Sequence, residues 1–165
     1  MRSEPSEIRF REEVRVEDIE SIRRIVESTG FFYPEEVEVS VELVEDRLSN
    51  GLDSGYFFLI AEREDLPVAY SCYGPIACTF GSFDIFWIVV HKDCQGVGLG
   101  KQVMEKTEER IRSLRGRAVY IETSSRDLYE PTRAFNRRCD YRVEAVLKDF
   151  YSPGDDKMIF VKRLQ

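Results

Sequence analysis

The clearest indication of a chemical function in this sequence is a glycine-rich segment between an apolar strand and a helix. It reads IVVHKDCQGVGLGKQVMEK and contains Gly96, Gly98 and Gly100. Because glycine has no side chain, a ligand can approach the backbone closely there. The amides from Gly96 to Lys101 can face one concave turn, and the start of the helix adds unpaired N–H groups and a partial positive charge. This combination favours a bound phosphate or pyrophosphate, to which Lys101 could add a direct charge contact.

Four interpretations of the glycine pattern compete. A P-loop needs G-x-x-x-x-G-K-[ST], which the sequence GVGLGKQ does not supply. A dinucleotide-binding fingerprint needs G-x-G-x-x-G near the first strand of a βαβ unit, whereas this G-x-G-x-G pattern lies past mid-chain. The pattern Q-x-x-G-x-G is satisfied by Gln95, Gly98 and Gly100. The glycines could also simply form a tight strand-to-helix turn, but the strand and helix around them favour the Q-x-x-G-x-G interpretation.

The elements before this segment follow from the spacing of apolar residues. Ile8 and Phe10 indicate a short first strand. Two helical patterns follow, the first stopping near Gly30 and the second running from Pro34 to the Asn50-Gly51 pair. Three strand patterns come next, and the third, SFDIFWIVVH, is apolar enough to be buried on both faces.

The elements after the glycines begin with a helix from Gly98 to about Leu114. Its periodicity predicts an inward face of Val103, Met104, Thr107, Ile111 and Leu114, and a solvated face of Lys101, Glu105, Lys106, Glu108, Glu109 and Arg110. A strand AVYIETSS, a short helix EPTRAFNRRC and two strands joined by the turn SPGDD complete the chain. The order β-α-α-β-β-β-α-β-α-β-β predicts an α/β (α+β) fold with a mixed sheet and helices on both faces.

Composition limits the classes of function. The length of 165 residues predicts one domain over 1–165, and no apolar stretch approaches the length of a membrane span. A net charge of -7 disfavours a nucleic-acid partner. Four cysteines without C-x-x-C spacing and a single histidine predict no metal site. The N-terminal sequence MRSEPSEIRFREEVRVED has no apolar core, so we expect no signal peptide and a cytoplasmic protein.

On these residues the sequence resembles the GNAT superfamily of CoA-dependent N-acyltransferases. The matching pieces are WIVVHKDCQGVGLGKQVM, YIETSS, PTRAFNRRCDYRVEAVLKDFY and KMIFVKRL, in the order and at the spacing of the superfamily. The resemblance extends over about residues 6–164. It implies a centrally splayed sheet and an N-acetyltransferase that moves an acetyl group from acetyl-CoA to a primary amine by direct attack in a ternary complex.

The resemblance also assigns the cofactor site. The turn is implied to hold the CoA pyrophosphate through backbone amides, and the preceding strand is implied to pair with the pantetheine arm. Two neighbouring strands, ending near Val90 and Ile121, are implied to splay apart and admit the thioester. The residues implied to contact the cofactor are Ile88, Val89, Val90, Gln95, Gly96, Val97, Gly98, Leu99, Gly100, Lys101 and Asn136.

The catalytic roles implied by the resemblance fall on carboxylates. An amine is mostly protonated at neutral pH and must lose a proton before it attacks the thioester. A carboxylate within direct or one-water reach can act as the base. Glu122 in YIETSS is the first candidate for this base, and Asp84 on the preceding strand is the second.

The sequence departs from the superfamily at the position of its usual acid. The tyrosine that often protonates the leaving thiolate is replaced by Asn136, and the glycine before the next aromatic residue is Asp140. Tyr129 and Tyr151 are candidate substitutes, and a thiolate can also leave without a dedicated acid. A catalytically weak or inactive CoA-binding regulatory module is therefore the alternative function.

The expected partner is an amine acceptor, either a small molecule or a peptide. The acidic net charge favours a cationic acceptor. A homodimer is also expected, because the superfamily often dimerises and the terminal strands could supply a sheet edge.

Overall fold

The computed structural model describes residues 7–165 and contains the predicted elements in the predicted order. Residues 1–6 lie outside the described residues. They belong to the N-terminal segment for which we expect no signal peptide. The helices and strands are β1 (Ile8–Arg11), α1 (Asp18–Ser28), α2 (Pro34–Asn50), β2 (Phe57–Arg63), β3 (Leu66–Pro75), β4 (Ser82–Val90), α3 (Leu99–Ser113), β5 (Ala118–Ser124), α4 (Glu130–Arg138), β6 (Arg142–Ser152) and β7 (Asp155–Arg163). Short 3-10 helices lie at Gly51–Ser54, Lys92–Cys94 and Asp127–Tyr129.

Within residues 7–165, seven strands form one mixed sheet in the order β1-β2-β3-β4-β5-β7-β6. The β4–β5 pair is parallel, whereas the pairs β1–β2, β2–β3, β5–β7 and β6–β7 are antiparallel. The β4–β5 register starts at Ser82↔Ala118 and ends at Asp84↔Tyr120, so it joins the first three residues of each strand. This mixed sheet and its short central register agree with the predicted fold class.

The chain divides into two compact units. The first contains the chain up to Gly74 together with Trp87–Thr107, and the second contains Pro75–Phe86 and Glu108–Gln165. The prediction of one domain over 1–165 is not tested by this division and stays a prediction.

In the first unit, the apolar residues predicted at helical spacing form part of the core. Ile22, Ile25 and Val26 of α1 pack in one cluster with side chains of α2, β2, β3 and β4. Helix α1 ends before Gly30, whose φ of 63° is left-handed, and α2 begins at Pro34. A proline suits the first helical position, because the N–H that it lacks would be unpaired there.

In the second unit, the alternation of β5 forms a buried face and a more open face. Val119, Ile121 and Thr123 are buried, whereas Tyr120 and Glu122 on the other face are more accessible. Strand β7 contributes buried Phe160 and Val161 to the same unit. Glu122, the charged residue of β5, therefore lies on the more open face of that strand.

Three burial predictions for the strand and helix around the glycines are wrong. Glu108 of α3, predicted on the solvated face, is 3% exposed. It accepts hydrogen bonds from Tyr141 Oη (3.1 Å) and Lys162 Nζ (2.9 Å). Leu114, predicted inward, is 44% exposed because α3 ends at Ser113. Strand β4, predicted buried on both faces, leaves Phe86 exposed at its centre.

Replacing the buried Glu108 by glutamine should lower the free energy of unfolding by about 2–4 kcal/mol, because removal of one partner leaves the Lys162 ammonium uncompensated. Chemical denaturation would measure the change. The matched control is Glu109→Gln on the exposed face of the same helix, where we expect a change within about 0.5 kcal/mol. Equal effects of the two substitutions would contradict the structural role of Glu108.

Candidate functional site

The glycine turn of the first unit joins β4 to α3. After Val90 the chain forms the 3-10 helix Lys92–Cys94 and then the turn that precedes Leu99. The side-chain amide of Gln95 donates from Nε2 to the carbonyl oxygen of Val90 (2.9 Å). This bond fastens the start of the turn to the end of β4, so Gln95 positions the turn through its side chain.

Gly96 and Gly98 adopt left-handed backbone conformations. Their φ angles are 79° and 84°, a region that residues with a Cβ rarely adopt. A Cβ built at either position would meet no atom within 4 Å. The backbone conformation, and not the packing of neighbouring atoms, therefore requires glycine here, and the space next to the turn is open.

The turn places backbone amides at the start of α3. The N–H of Gln102 donates to the carbonyl of Gly98 (3.2 Å), which begins the hydrogen-bond ladder of the helix. The N–H groups that precede it lie at the helix N-terminus, where intrahelical acceptors are missing and the helix dipole favours an anion. The geometry is that of an anion-binding turn, as the glycine pattern predicts.

Some side chains of the turn are buried and anchor it, whereas others are exposed to solvent. Leu99 and Cys94 are buried in one apolar cluster with residues of β2 and β3 and with Val103 of α3, and this cluster holds the helix start in place. Val97 is exposed, and so is Lys101, whose Nζ lies 3.7 Å from Glu105 Oε1. The Lys101 ammonium is thus available to solvent next to the turn.

The strand residues predicted to contact the cofactor belong to the same unit. Val89 is buried in the cluster formed by α1, α2, β2 and β3, whereas Ile88 and Val90 pack against the cluster that contains Leu99. Their contribution to a ligand would come from the backbone, as the resemblance implies. Ile88 to Val90 and Gln95 to Lys101 thus lie close together in the chain, with the 3-10 helix Lys92–Cys94 between them.

The two candidate bases lie in the second unit on one face of the sheet. Asp84 of β4 pairs in register with Tyr120 of β5, and Glu122 is two residues further along β5. Residues in register, and residues two apart on a strand, point to the same face. Burial raises the pKa of Asp84, the Glu122 carboxylate raises it further, and the Lys157 ammonium opposes both effects.

Lys157 is a site residue that the sequence analysis did not identify. Its Nζ lies 2.7 Å from Glu122 Oε2, and the lysine side chain is 12% exposed against 51% for the glutamate. The same Nζ lies 3.7 Å from the centroid of the Phe150 ring and 5.8 Å from that of Tyr151. The sequence gives little indication of this position, because the β6–β7 hairpin brings Lys157 next to Phe150 and Tyr151, and the pairing of β5 with β7 brings it next to Glu122.

The candidate acids also lie in the second unit. Burial, together with Glu122, Asp155 and Tyr129, raises the pKa of Tyr151 to about 12. Tyr129 immediately precedes α4, and the Arg126 guanidinium lies 5.6 Å from the centroid of its ring. A phenol with a pKa of about 12 is protonated at neutral pH and can donate a proton.

Asn136, predicted to contact the cofactor, lies in the second unit and not in the glycine segment. It is 1% exposed in α4, and its Nδ2 donates to Thr123 Oγ1 (3.4 Å). Among the described residues, its Oδ1 has no hydrogen-bond partner. The predicted contact of Asn136 with CoA stays a prediction.

Membrane spans and metal clusters are two further kinds of feature that would bear on function. No helix in the part of the chain described by the structure is long and apolar enough to cross a membrane. Over residues 7–165, no group of three or more His, Cys, Asp or Glu side chains is arranged to hold a metal ion.

Among residues 7–165, the glycine-containing strand–turn–helix segment belongs to a mixed, seven-stranded sheet. The profile of the family described as "Acetyltransferase (GNAT) family" matches residues 19–141. The chain belongs to the GNAT acetyltransferase family and is an acyltransferase enzyme.

Solved structures agree with this assignment. A crystal structure of a GNAT-family acetyltransferase from Desulfovibrio desulfuricans is 42% identical, with a TM-score of 0.93 over 95% of this chain and 99% of that chain. An aminoglycoside 6'-N-acetyltransferase in complex with coenzyme A is 18% identical, with a TM-score of 0.77 over 94% of this chain and 96% of that one. The ribosomal-protein-S18-alanine N-acetyltransferase of Escherichia coli is 13% identical, with a TM-score of 0.73 over 96% and 95% of the two chains. No curated protein matches this sequence.

Proposed function

We propose that this enzyme transfers the acetyl group of acetyl-CoA to a primary amine by direct attack within a ternary complex. The observation that carries the proposal is the left-handed turn at Gly96 and Gly98, which opens the backbone at the start of α3. Its N–H groups suit the diphosphate of CoA. The residues of the first unit that would hold the cofactor are Ile88 to Val90 and Gln95 to Lys101.

In the proposed reaction, the neutral amine attacks the carbonyl carbon of the thioester. A C–N bond forms, and negative charge develops on the carbonyl oxygen, which backbone N–H groups can stabilise. The C–S bond then breaks and CoA leaves as the thiolate. One carboxylate of the Asp84 and Glu122 pair accepts the proton of the amine. Tyr151 or Tyr129 returns a proton to the thiolate, unless the thiolate leaves without an acid.

The proposed acceptor is an amine on a small molecule or a peptide. The aminoglycoside and ribosomal-protein enzymes named above act on amines of these two classes, which supports the breadth of the proposal. The net charge of -7 favours a cationic acceptor, because the field of an acidic protein attracts cations. The expected homodimer and cytoplasmic location stay predictions.

The alternative function is a CoA-binding regulatory module with weak or no turnover. The buried Asn136 favours it, because this side chain occupies the position of the usual acid and cannot protonate a thiolate. Tyr151 instead favours an active enzyme, because its phenol is protonated at neutral pH and can serve as an acid. It lies close enough to Glu122 for the charge of the carboxylate to raise its pKa.

Two measurements test the proposal in order. Acetyl-CoA should raise the melting temperature of the purified protein, because a ligand that binds only the native state stabilises it. Release of free thiol should then be followed with a panel of aminoglycosides, polyamines, amino acids and peptides, and the acetylated product should be identified by mass spectrometry. Thermal stabilisation without thiol release above the acceptor-free rate would favour the regulatory module. Absence of both would refute the proposed function.

A further inference from the structure

The ammonium of Lys157 is enclosed by one carboxylate and by the aromatic side chains of β6. Glu122 Oε2 lies at 2.7 Å, and the centroid of the Phe150 ring lies at 3.7 Å. A cation above an aromatic face is attracted by the quadrupole of the ring, and more strongly when water is excluded. The lysine side chain is 12% exposed, whereas the Glu122 side chain is 51% exposed, so water partly screens their attraction.

The strand registers bring this ion pair onto the face of the sheet that carries Asp84. Asp84 pairs with Tyr120, Ser124 pairs with Lys157, and Glu122 lies between Tyr120 and Ser124 on β5. Residues in register and residues two apart share a face. The face therefore carries the carboxylates of Asp84, Glu122 and Asp155. Asp155 is paired with Arg126, and Glu122 is held by an ion pair with Lys157.

We infer that Lys157 is a positioning residue, which holds Glu122 in an ion pair and leaves Asp84 to accept the proton of the acceptor amine. This inference rests on the proposed function and assigns roles within its site. The transfer moves one proton from the amine nitrogen to a carboxylate oxygen of Asp84, directly or through one water, as the C–N bond forms. No oxidation or reduction is involved.

The electrostatics of the face support this division of roles. The Lys157 ammonium lies 2.7 Å from Glu122 Oε2, so this oxygen is already engaged in an ion pair. Burial and the Glu122 charge raise the pKa of Asp84, which makes it the better proton acceptor. The charged or titratable groups on the face of Asp84 are Glu122 and Tyr120 on β5, Lys157 and Asp155 on β7 and, near Glu122, Tyr151 on β6.

The first test is the pH dependence of kcat/KM in Lys157→Met. Loss of the cation removes the effect that opposes the raised pKa of Asp84, so the acidic limb of the profile should move to higher pH. Rates on that limb should fall about threefold to tenfold, and the plateau should change little. Lys157→Arg keeps the charge and should restore the wild-type profile. Lys148→Met removes a lysine of the same β6–β7 hairpin that is paired with Asp156, and it should leave the profile unchanged.

The second test measures the titration of the carboxyl group directly and does not require enzymatic turnover. Carbon-13 NMR of the side-chain carboxyl groups should show the titration of Asp84 at higher pH in Lys157→Met than in the wild type. An unchanged Asp84 titration in folded Lys157→Met would overturn the role of Lys157, even with full enzymatic turnover. Absence of wild-type turnover with every amine would instead refute the proposed function, and with it the proton transfer.

Discussion

Gly98→Glu should weaken acetyl-CoA binding by at least about 100-fold, which corresponds to about 2.8 kcal/mol. At a φ of 84° any residue with a Cβ is strained, so the turn must change its conformation or lose stability. The new carboxylate would also face the phosphates that the turn is proposed to bind. Isothermal titration calorimetry would measure the affinity, and circular dichroism should show unchanged helix content.

Gly55→Glu is the matched control for backbone strain. Gly55 has a φ of 79°, and a Cβ placed there, as at Gly98, would meet no atom within 4 Å. It lies in the same unit, after the 3-10 helix Gly51–Ser54, and precedes the glycine segment in the chain by all of β2, β3 and β4. Both substitutions should cost similar stability, but only Gly98→Glu should lose acetyl-CoA binding. Equal losses of binding would mean that the phosphate site lies elsewhere.

Asp84→Asn should lower kcat/KM by about 100-fold to 10,000-fold, the range that a general base contributes. The substitution keeps the size of the side chain and removes its ability to accept the proton. Affinity for acetyl-CoA, measured separately, should change little. Steady-state kinetics over a range of pH should also show that the acidic limb has disappeared.

The comparison with Glu122→Gln decides between the two carboxylates. Because Glu122 is paired with Lys157, its replacement should cost about tenfold or less and should move the acidic limb to lower pH, since one charge that raises the pKa of Asp84 is removed. A larger loss in Glu122→Gln than in Asp84→Asn would assign the base to Glu122, the first candidate of the sequence analysis.

The fold was predictable where the signals are local. Apolar residues at helical spacing define α1 and α2, and Gly30, Pro34 and the Asn50-Gly51 pair mark their ends as observed. The turn SPGDD gives the hairpin of β6 and β7. The glycine turn was also predictable, because a left-handed φ at Gly96 and Gly98 needs glycine and leaves that requirement in the sequence.

The remaining site depends on contacts between residues that are distant in the chain. Glu108 follows Lys106 and Thr107 in a charged run that is typical of a solvated helix face. Its burial is compensated by the distant partners Tyr141 and Lys162, together with Arg112 of the same helix. The position of Lys157 next to Glu122 depends on the pairing of β5 with β7. Helical periodicity and strand alternation carry no information on such partners.

The half-buried carboxyl of Asp84 has a consequence for protein engineering. Its pKa is raised in the folded state, so the stability it contributes is complete below its unfolded pKa and is lost as the pH rises through the folded value. At neutral pH the ionised group therefore opposes folding. A selection for heat resistance alone should enrich uncharged residues at position 84, and the enriched clones should be robust but inactive catalysts.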